Sequence, residues 1–235
     1  MSDTKGVLYI IPVLLGGDDI SLLPESTLKA IRPLKHFIVE NSKSARQFLK
    51  LAQIDSTQQE LIINEIDKHQ DHQPFDEFLK PTLTGYDVGL LSEAGVPCVA
   101  DPGSGFIMAA HRNGIKVIPL TGPSSILLAL MSSGLNGQSF CFHGYLPVNR
   151  EERMQKLKLL ERDAQSKKQT QIFIETPYRN TPLLKDLLET LSPSTKLCIA
   201  CNLTLTNEFI QTKNILAWKK QIPELNKKPA VFLIL

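Results

Sequence analysis

Short apolar segments alternate with helical patterns along the first half of the chain, and this alternation strongly constrains the fold. The apolar segments predict strands at residues 8–11, 37–39, 88–91 and 117–119. The patterns between them predict helices at residues 24–31, 44–51, 58–68 and 105–113. Strands that alternate with helices in this way form parallel sheets with helices packed on them. The first half is therefore predicted to be an α/β domain with a parallel, helix-flanked sheet.

The pattern changes after a helical segment at residues 124–132. Residues 139–145 alternate between apolar and polar positions, as in a half-exposed strand. Further strands are predicted at residues 171–175, 197–202, 209–212 and 230–235, with helices at residues 149–163 and 183–191. We therefore expect two domains of the α/β class, residues 1–115 and residues 116–235.

The loop at residues 92–103 is the most informative segment for function. It follows a buried apolar strand, precedes a helix and is rich in small residues. It also contains two carboxylates, Glu93 and Asp101, and two prolines. Small residues let a backbone approach a ligand closely, and ligands of α/β sheets bind at the carboxyl ends of the strands. The loop therefore predicts a ligand site, with an ordinary strand-to-helix turn as the alternative.

Composition indicates a folded protein without a membrane segment. Of the 235 residues, 42% are hydrophobic, which is ample for a core. No apolar run reaches the roughly 18 residues that a membrane span requires. The first residues do not have the layout of a signal peptide, so we expect a cytoplasmic protein.

The cysteine and histidine residues do not predict a metal site. Cys198 and Cys201 match a C-x-x-C pattern, but they lie in a strand-like run, where their odd separation directs the thiols to opposite faces. We expect both to be core residues. His69, Asp71 and His72 lie in a polar stretch before a proline, which predicts a solvated linker rather than a set of metal ligands.

Charge is distributed unevenly along the chain. Residues 1–113 carry 10 Lys or Arg and 15 Asp or Glu, a net charge of −5, whereas residues 114–235 carry 16 and 9, a net charge of +7. The basic half suits an anionic substrate. Four basic residues lie on one predicted helix: Arg150, Arg153, Lys156 and Lys158. They predict a phosphate-binding surface, with an ordinary solvated helix face as the alternative.

Five loops combine small, polar and charged residues directly after predicted strands. They are residues 12–19, 40–43, 92–103, 121–125 and 175–179. Together, and in this order, they resemble the tetrapyrrole methylase superfamily, the class III S-adenosylmethionine-dependent methyltransferases. Within it, the chain is most similar to the bacterial 16S ribosomal RNA cytidine 2′-O-ribose methyltransferases. The resemblance covers residues 8–235 and is most specific at residues 92–103, 119–122, 132–135 and 140–147.

This resemblance implies a fold, a cofactor and a set of contacts. It implies a parallel α/β domain followed by a mixed-sheet α/β domain, S-adenosylmethionine in the cleft between them, and a homodimer. The residues at the family's cofactor-contacting positions are Leu15, Glu93, Val96, Ser125, Ile126, Ile174, Ala200 and Ala230. Ser125 and Ile126 begin a predicted helix, where free backbone N–H groups can bind a carboxylate. No metal is implied.

Three residues at predicted loop mouths are candidates for catalysis: Glu40, Asp101 and Arg179. Methyl transfer from a sulfonium to a hydroxyl needs an aligned acceptor and benefits from a nearby base. The planar fork of Arg179 suits a phosphate or carboxylate of the substrate. Each candidate has a structural alternative. Glu40 would simply end a strand at the surface, Asp101 would cap the next helix, and Arg179 would pair with Glu175.

The sequence departs from the family pattern at several positions. Asn41 and Lys43 stand where an aspartate and an arginine are usual. Cys201 and Asn202 stand where an arginine and a glutamate are usual. The sequence also ends after its last predicted strand, where the ribosomal enzymes usually carry a C-terminal extension.

Three functions remain open on these grounds. The first is a methyltransferase that acts on ribosomal RNA. The second is a catalytically silent module that keeps the cofactor pocket, and the third is a methyltransferase of a tetrapyrrole-like small molecule. The low aromatic content, 6%, does not support a large apolar trough for a tetrapyrrole.

Overall fold

The computed structural model describes residues 5–67 and 74–235, so His69, Asp71 and His72 lie outside the described residues. The chain divides into two compact units, Met1–Ser124 and Ser125–Leu235. The strands are β1 (Val7–Ile11), β2 (His36–Val39), β3 (Ile62–Glu65), β4 (Val88–Leu91), β5 (Lys116–Pro119), β6 (Phe140–Tyr145), β7 (Thr170–Glu175), β8 (Lys196–Cys201), β9 (Phe209–Asn214) and β10 (Ala230–Ile234). The helices are α1 (Glu25–Ile31), α2 (Ser42–Leu51), α3 (Phe75–Phe78), α4 (Lys80–Leu83), α5 (Ser104–Arg112), α6 (Ser125–Ser133), α7 (Arg150–Lys167), α8 (Asn180–Thr190) and α9 (Ile215–Trp218).

The first unit is built on a five-stranded sheet in the order β3-β2-β4-β1-β5. Each neighbouring pair of strands is parallel. Helices α1 and α2 contribute to one apolar cluster, which includes Ile11 and Phe48, and α5 contributes to another, which includes Leu8 and Phe106. Because the two clusters cover opposite faces, β4 is buried at all four positions. The predicted parallel sheet flanked by helices is confirmed.

The prediction of a helix at residues 58–68 is wrong, because this segment contains strand β3. That strand pairs in parallel with β2, and Ile62 lies opposite His36. Leu61 and Ile66 are buried, whereas Ile62 is 51% exposed. The apolar residues therefore do not form one helical stripe, and pairing with the sheet outweighs the local pattern.

Strand β5 belongs to the first unit, although it follows the boundary expected at residue 115. It pairs in parallel with β1, and Val117 lies opposite Leu8. The chain therefore stays with the first sheet until Ser124, and the second unit begins with α6.

The second unit contains a mixed five-stranded sheet in the order β6-β7-β10-β8-β9. Strands β6 and β7 are parallel, and the other neighbouring pairs are antiparallel. Helices α7, α8 and α9 pack with the sheet in one apolar cluster that includes Phe173, Phe232 and Trp218. Helix α6 contacts β8, β9 and β10. The predicted mixed-sheet α/β domain is confirmed.

Cys198 and Cys201 are both buried in β8. Cys198 lies opposite Leu233 and Cys201 lies opposite Ala230, so their side chains point to opposite faces of the sheet. Burial raises the pKa of each thiol. The prediction that both are core residues is confirmed.

The part of the chain that the structure describes meets neither the requirements of a metal site nor those of a membrane-spanning helix. No group of three or more His, Cys, Asp or Glu residues there could hold a metal ion. No helix there is both long enough and apolar enough to cross a membrane.

Candidate functional site

The carboxyl ends of β2 and β4 mark the point where the connections of the first sheet diverge. After β2 the chain continues to β3 on one side, and after β4 it continues to β5 on the other side. Ligands of open α/β sheets bind beyond the strand ends at such a point. Glu40 directly follows β2 and Ser92 directly follows β4, so both lie at this position.

Three loops meet at Gly95. The N–H of Val13, after β1, donates to the carbonyl oxygen of Gly95, after β4, at 2.8 Å. A Cβ atom at Gly95 would lie 3.0 Å from Cδ2 of Leu15 and 3.6 Å from the carbonyl oxygen of Pro123, in the loop after β5. Gly95 also has a φ of +72°, in the left-handed region that favours glycine. The loops after β1, β4 and β5 therefore form one connected structure, the Gly95 junction.

A second close approach holds the loop after β5 in place. A Cβ atom at Gly122 would lie 2.4 Å from Cγ of Pro12, so only glycine fits there. The hydroxyl of Thr27, on α1, donates to the carbonyl oxygen of Thr121 at 2.7 Å. The loop is thus fixed from two sides, which limits its movement at the Gly95 junction.

Glu40 and Asp101 lie near the same thiol, although they follow different strands. Burial raises the pKa of Cys98 to about 11, and the negative charges of Asp101 and Glu40 add to the shift. Glu40 is only 7% exposed, so the alternative that it ends a strand at the surface is wrong. Asp101 lies two residues before Gly103, the N-cap of α5. The structure therefore brings two of the three candidate catalytic residues into one region.

The backbone around Cys98 is strained. Cys98 has a φ of +68° and Ala100 has a φ of +62°. Non-glycine residues rarely adopt this conformation, and such residues cluster at functional sites. The sequence predicted a ligand site in this loop but not that the thiol of Cys98 lies near Asp101 and Glu40.

A cavity of about 640 Å³ lies within the first unit. One wall is the loop after β1, including Leu15, and the other is formed by side chains of α2. Glu93 lines the same cavity, whereas Val96 is half-buried in the loop after β4. Two of the three predicted cofactor contacts of this unit therefore face one cavity. The sequence did not predict that α2 lines this cavity, although the polar residues at helical spacing in this segment could have indicated it.

The predicted contacts of the second unit fall on both faces of its sheet. Ile174 and Ala200 both lie opposite Val231, so their side chains share a face. Ala230 lies one position away on β10 and packs in the apolar cluster on the other face. Only the backbone of Ala230 is therefore available to a ligand on the face that carries Ile174. Residues Ser125 and Ile126 begin α6, as predicted from the sequence.

Arg179 and Glu175 form an ion pair. Nη2 and Nε of Arg179 donate to Oε1 of Glu175 at 2.6 Å and 2.9 Å. The N–H of Thr176 also donates to that oxygen, at 2.7 Å. The side chain of Glu175 is buried, whereas that of Arg179 is 36% exposed. The pairing with Glu175, which was the structural alternative for Arg179, is therefore present, and part of the arginine side chain remains exposed.

Arg153 is buried, so the prediction that it binds phosphate from a helix surface is wrong. Its Nε and Nη2 donate to Oδ2 of Asp186, on α8, at 2.8 Å and 2.6 Å. Its Nη1 donates to two backbone carbonyls that precede α7. Arg150 donates to Asp186 and Glu189. These two arginines fix α7 to α8, and only Lys156 and Lys158 remain from the predicted basic surface.

The fold is the one found in the class III methyltransferases. The structure is similar to the crystal structure of the methyltransferase CobJ, with a TM-score of 0.65, 18% identity, and coverage of 98% of this chain and 94% of that chain. It is also similar to the crystal structure of diphthine synthase, with a TM-score of 0.69, 15% identity, and coverage of 97% and 89%.

The chain belongs to the family of Tetrapyrrole (Corrin/Porphyrin) Methylases, whose model matches residues 7–216. It is 30% identical to ribosomal RNA small subunit methyltransferase I of Vibrio cholerae, over 100% of this chain and 81% of that protein. The protein of the same name from Escherichia coli O157:H7 is 27% identical, over 99% of this chain and 78% of that protein. The chain is therefore a methyltransferase, and the resemblance predicted from the sequence is confirmed.

Proposed function

We propose that this methyltransferase uses S-adenosylmethionine to methylate a ribose hydroxyl of ribosomal RNA. The observation that carries this proposal is the Gly95 junction, where three loops meet at the carboxyl end of the sheet that also carries Glu40 and Asp101. Membership of the family supports the methyl donor. The names of the relatives support ribosomal RNA as the acceptor.

The described loops have the chemistry that S-adenosylmethionine requires. Leu15 and Val96 offer apolar surface to the adenine, and Glu93 can accept hydrogen bonds from the ribose hydroxyls. The negative charges of Glu40 and Asp101 favour a positively charged sulfonium at this end of the sheet. When bound, S-adenosylmethionine supplies an electrophilic methyl group.

Residues of the second unit are proposed to complete the contacts with the cofactor. Ser125 and Ile126 begin a nine-residue helix, whose first backbone N–H groups suit the carboxylate of the methionine portion. Ile174 and Ala200 offer apolar side chains from one face of the sheet, and Ala230 offers its backbone.

Glu40 and Asp101 are our candidates for the base that accepts the proton of the ribose hydroxyl. A positioned base contributes roughly 10²–10⁴-fold to such a reaction. Arg179 is oriented by Glu175 and keeps an exposed portion, so we propose that it contacts a phosphate of the RNA.

A catalytically silent module is less well supported, because one departure from the family pattern has a structural explanation. The side chain of Asn41 accepts hydrogen bonds from the N–H groups of Lys43 and Ser44, at 3.0 Å and 3.1 Å. It is the N-cap of α2. Asparagine and aspartate cap helices about equally well, so Asn41 keeps the local structure that an aspartate would give.

We also propose that the protein is cytoplasmic, as expected from the layout of its sequence, and that it forms a homodimer, as the family resemblance implies. Light scattering at tens of micromolar protein should give the mass of two chains. A mass of one chain at that concentration would contradict the dimer.

The decisive experiment is the transfer of labelled methyl groups to ribosomal RNA. We expect the unchanged protein to transfer methyl groups. One of the two variants, Glu40→Gln or Asp101→Asn, should lower the rate of transfer by about 100-fold or more, and that variant identifies the base. Glu77→Gln, an exposed carboxylate on α3, is the control and should retain full transfer. Cofactor binding without transfer to RNA would support the silent module, and transfer to a tetrapyrrole instead of RNA would support the third function.

A further inference from the structure

We propose that a second copy of this chain binds to the outer face of α6, and that this contact strengthens cofactor binding at the first turn of the same helix. The proposal rests on the proposed function, since it assigns a surface to the homodimer and connects it to the proposed cofactor contacts Ser125 and Ile126. None of the predicted cofactor contacts uses the outer face of α6.

The inner face of α6 packs on the second sheet. Its buried residues recur at intervals of three and four positions: Ile126, Ala129, Leu130 and Ser133. The helix contacts β8, β9 and β10. The hydroxyl of Thr212, on β9, donates to the carbonyl oxygen of Ser133 at 2.7 Å and holds the end of the helix against the sheet. One face of α6 is therefore fully accounted for.

The outer face of α6 is also apolar. Leu127 and Met131, one turn apart, are 56% and 79% exposed. Met131 is the most exposed large hydrophobic residue in the part of the chain that the structure describes. The sequence of α6 contains no charged residue. A surface helix normally carries charged or polar residues on its outer side, and a helix that is apolar on both faces is normally buried. The outer face of α6 is thus suited to being covered.

The lack of charge extends well beyond α6. Residues 117–149 contain no Lys, Arg, Asp or Glu, whereas the rest of the chain carries all 26 basic and all 24 acidic residues. Within the second unit, most of residues 125–149 are exposed or half-buried, so this segment is not simply a piece of the core. Accessible surface depleted of charge is typical of the centre of a protein interface. A stable interface uses about 20–30 residues on each side, and this segment is long enough to supply a large part of them.

The same lack of charge favours a second copy of the chain as the partner. In a two-fold dimer a patch meets itself, so a charge near the axis would face its own equivalent. An uncharged patch meets itself without repulsion, and the exposed leucine and methionine supply apolar surface that adapts to its partner. RNA would instead require cations opposite its phosphates, and α6 carries none.

The position of the cofactor contacts connects the dimer to the site. Ser125 and Ile126 form the first turn of α6, and the outer face begins with the next residue, Leu127. A helix of nine residues depends on packing for its stability. A partner that covers its second face stabilises the helix, and with it the position of the first-turn N–H groups that suit the carboxylate of the cofactor. Because such coupling is reciprocal, the cofactor should also strengthen the dimer.

The test measures the dimer by sedimentation equilibrium of the full chain and cofactor binding by calorimetry with S-adenosylhomocysteine. Met131→Lys places a charge on the outer face, and lysine forms helices about as well as methionine. We expect this variant to raise the dissociation constant of the dimer at least 100-fold. The resulting monomer should bind S-adenosylhomocysteine at least fivefold more weakly. In the unchanged protein, S-adenosylhomocysteine should lower the dissociation constant of the dimer at least fivefold.

Met108→Lys is the matched control. Met108 lies on α5, which also has nine residues, and it is 59% exposed. This variant adds the same charge to an exposed methionine of another helix, so it should keep both the dimer and the affinity for S-adenosylhomocysteine. Circular dichroism should show the same helical content in both variants, which separates loss of the dimer from loss of the fold.

Each part of the proposal has an outcome that contradicts it. A dimer of unchanged affinity in Met131→Lys would overturn the assignment of this surface, as would an equal loss of the dimer in Met108→Lys. Unchanged affinity for S-adenosylhomocysteine in a monomeric Met131→Lys would overturn the coupling. Failure of the proposed function would instead show as an unchanged protein that forms the dimer and binds S-adenosylhomocysteine but transfers no methyl group to RNA.

Discussion

The backbone conformation and the close packing at position 95 require glycine. Its φ of +72° costs a non-glycine residue about 1–2 kcal/mol, and a Cβ atom would press on Leu15 at 3.0 Å. We expect Gly95→Ala to weaken binding of S-adenosylhomocysteine at least tenfold, equivalent to about 1.4 kcal/mol, because the three loops would separate. Calorimetry measures this change.

Gly114 provides a control for strain alone. It also has a positive φ, +59°, but lies after α5, and a Cβ atom there would meet only the end of Lys5. Gly114→Ala should lower the free energy of unfolding by about 1–2 kcal/mol and leave cofactor affinity unchanged. Equal cofactor affinity in Gly95→Ala and Gly114→Ala would show that the junction does not form part of the site.

The thiol of Cys98 reports on the two carboxylates beside it. Burial is the main reason that its pKa is raised to about 11, and the charges of Asp101 and Glu40 raise it further. A negative charge disfavours the thiolate, so Asp101→Asn and Glu40→Gln should each lower the pKa of Cys98. The pKa should remain above the ordinary value, because burial persists.

The pH dependence of alkylation measures this pKa. Cys141→Ser provides a background in which the other two cysteines, Cys198 and Cys201, are buried. Glu77→Gln serves again as the control and should not shift the alkylation profile. A profile unchanged by both Asp101→Asn and Glu40→Gln would place these carboxylates away from the thiol and weaken their assignment to one site.

Among the elements, helices α7 and α8 depend on one buried ion pair. Asp186 is 3% exposed and accepts from Arg153, which is itself buried. Asp186→Ala leaves the arginine without its main partner, so we expect a loss of about 3–5 kcal/mol in the free energy of unfolding. Denaturation in urea measures this loss.

The matched control is the more exposed pair on α7, formed by Asp163 and Lys167 at 3.3 Å. Asp163→Ala should change the free energy of unfolding by no more than about 0.5 kcal/mol. A similarly small change in Asp186→Ala would show that the arginine finds other partners.

The sequence predicts most elements because their apolar periodicity agrees with their tertiary surroundings. It fails at β3, where the spacing of Leu61 and Ile66 suggests a helix but pairing with β2 decides the structure. A short edge strand has too few residues to show a clear alternation. The loop at residues 92–103 was identified because glycine, proline and carboxylates are concentrated there.

The side-chain partners at the site could not be predicted in the same way. The surroundings of Arg153 depend on α8, more than thirty residues away, so a basic helix pattern cannot distinguish an ion pair from a phosphate site. The cavity beside α2 likewise depends on how the loop after β1 is placed. Contacts between distant segments carry no local signal in a single sequence.

At the scale of the whole molecule, fewer cations of the second half are available to RNA than the sequence suggests. The second half carries a net charge of +7, but Arg150, Arg153 and Arg179 are engaged in ion pairs. Reversing the charge of Arg153 would place a carboxylate beside Asp186 and destabilise the fold. A test of RNA binding must therefore use other cations.

Lys156 and Lys158 are the remaining basic residues of that surface; Lys156 is half-buried and Lys158 is exposed. If each contacts one phosphate of single-stranded RNA, the double variant Lys156→Glu/Lys158→Glu releases two fewer counterions on binding. The slope of log affinity against log salt should then become shallower by about 1.4. The charge-matched control is Lys29→Glu/Lys80→Glu, which reverses two exposed lysines of the acidic half and should keep the original slope. Filter binding of ribosomal RNA fragments over a range of salt concentrations measures both. Identical slopes for the two double variants would exclude α7 from the RNA-binding surface, because counterion release counts phosphate contacts directly.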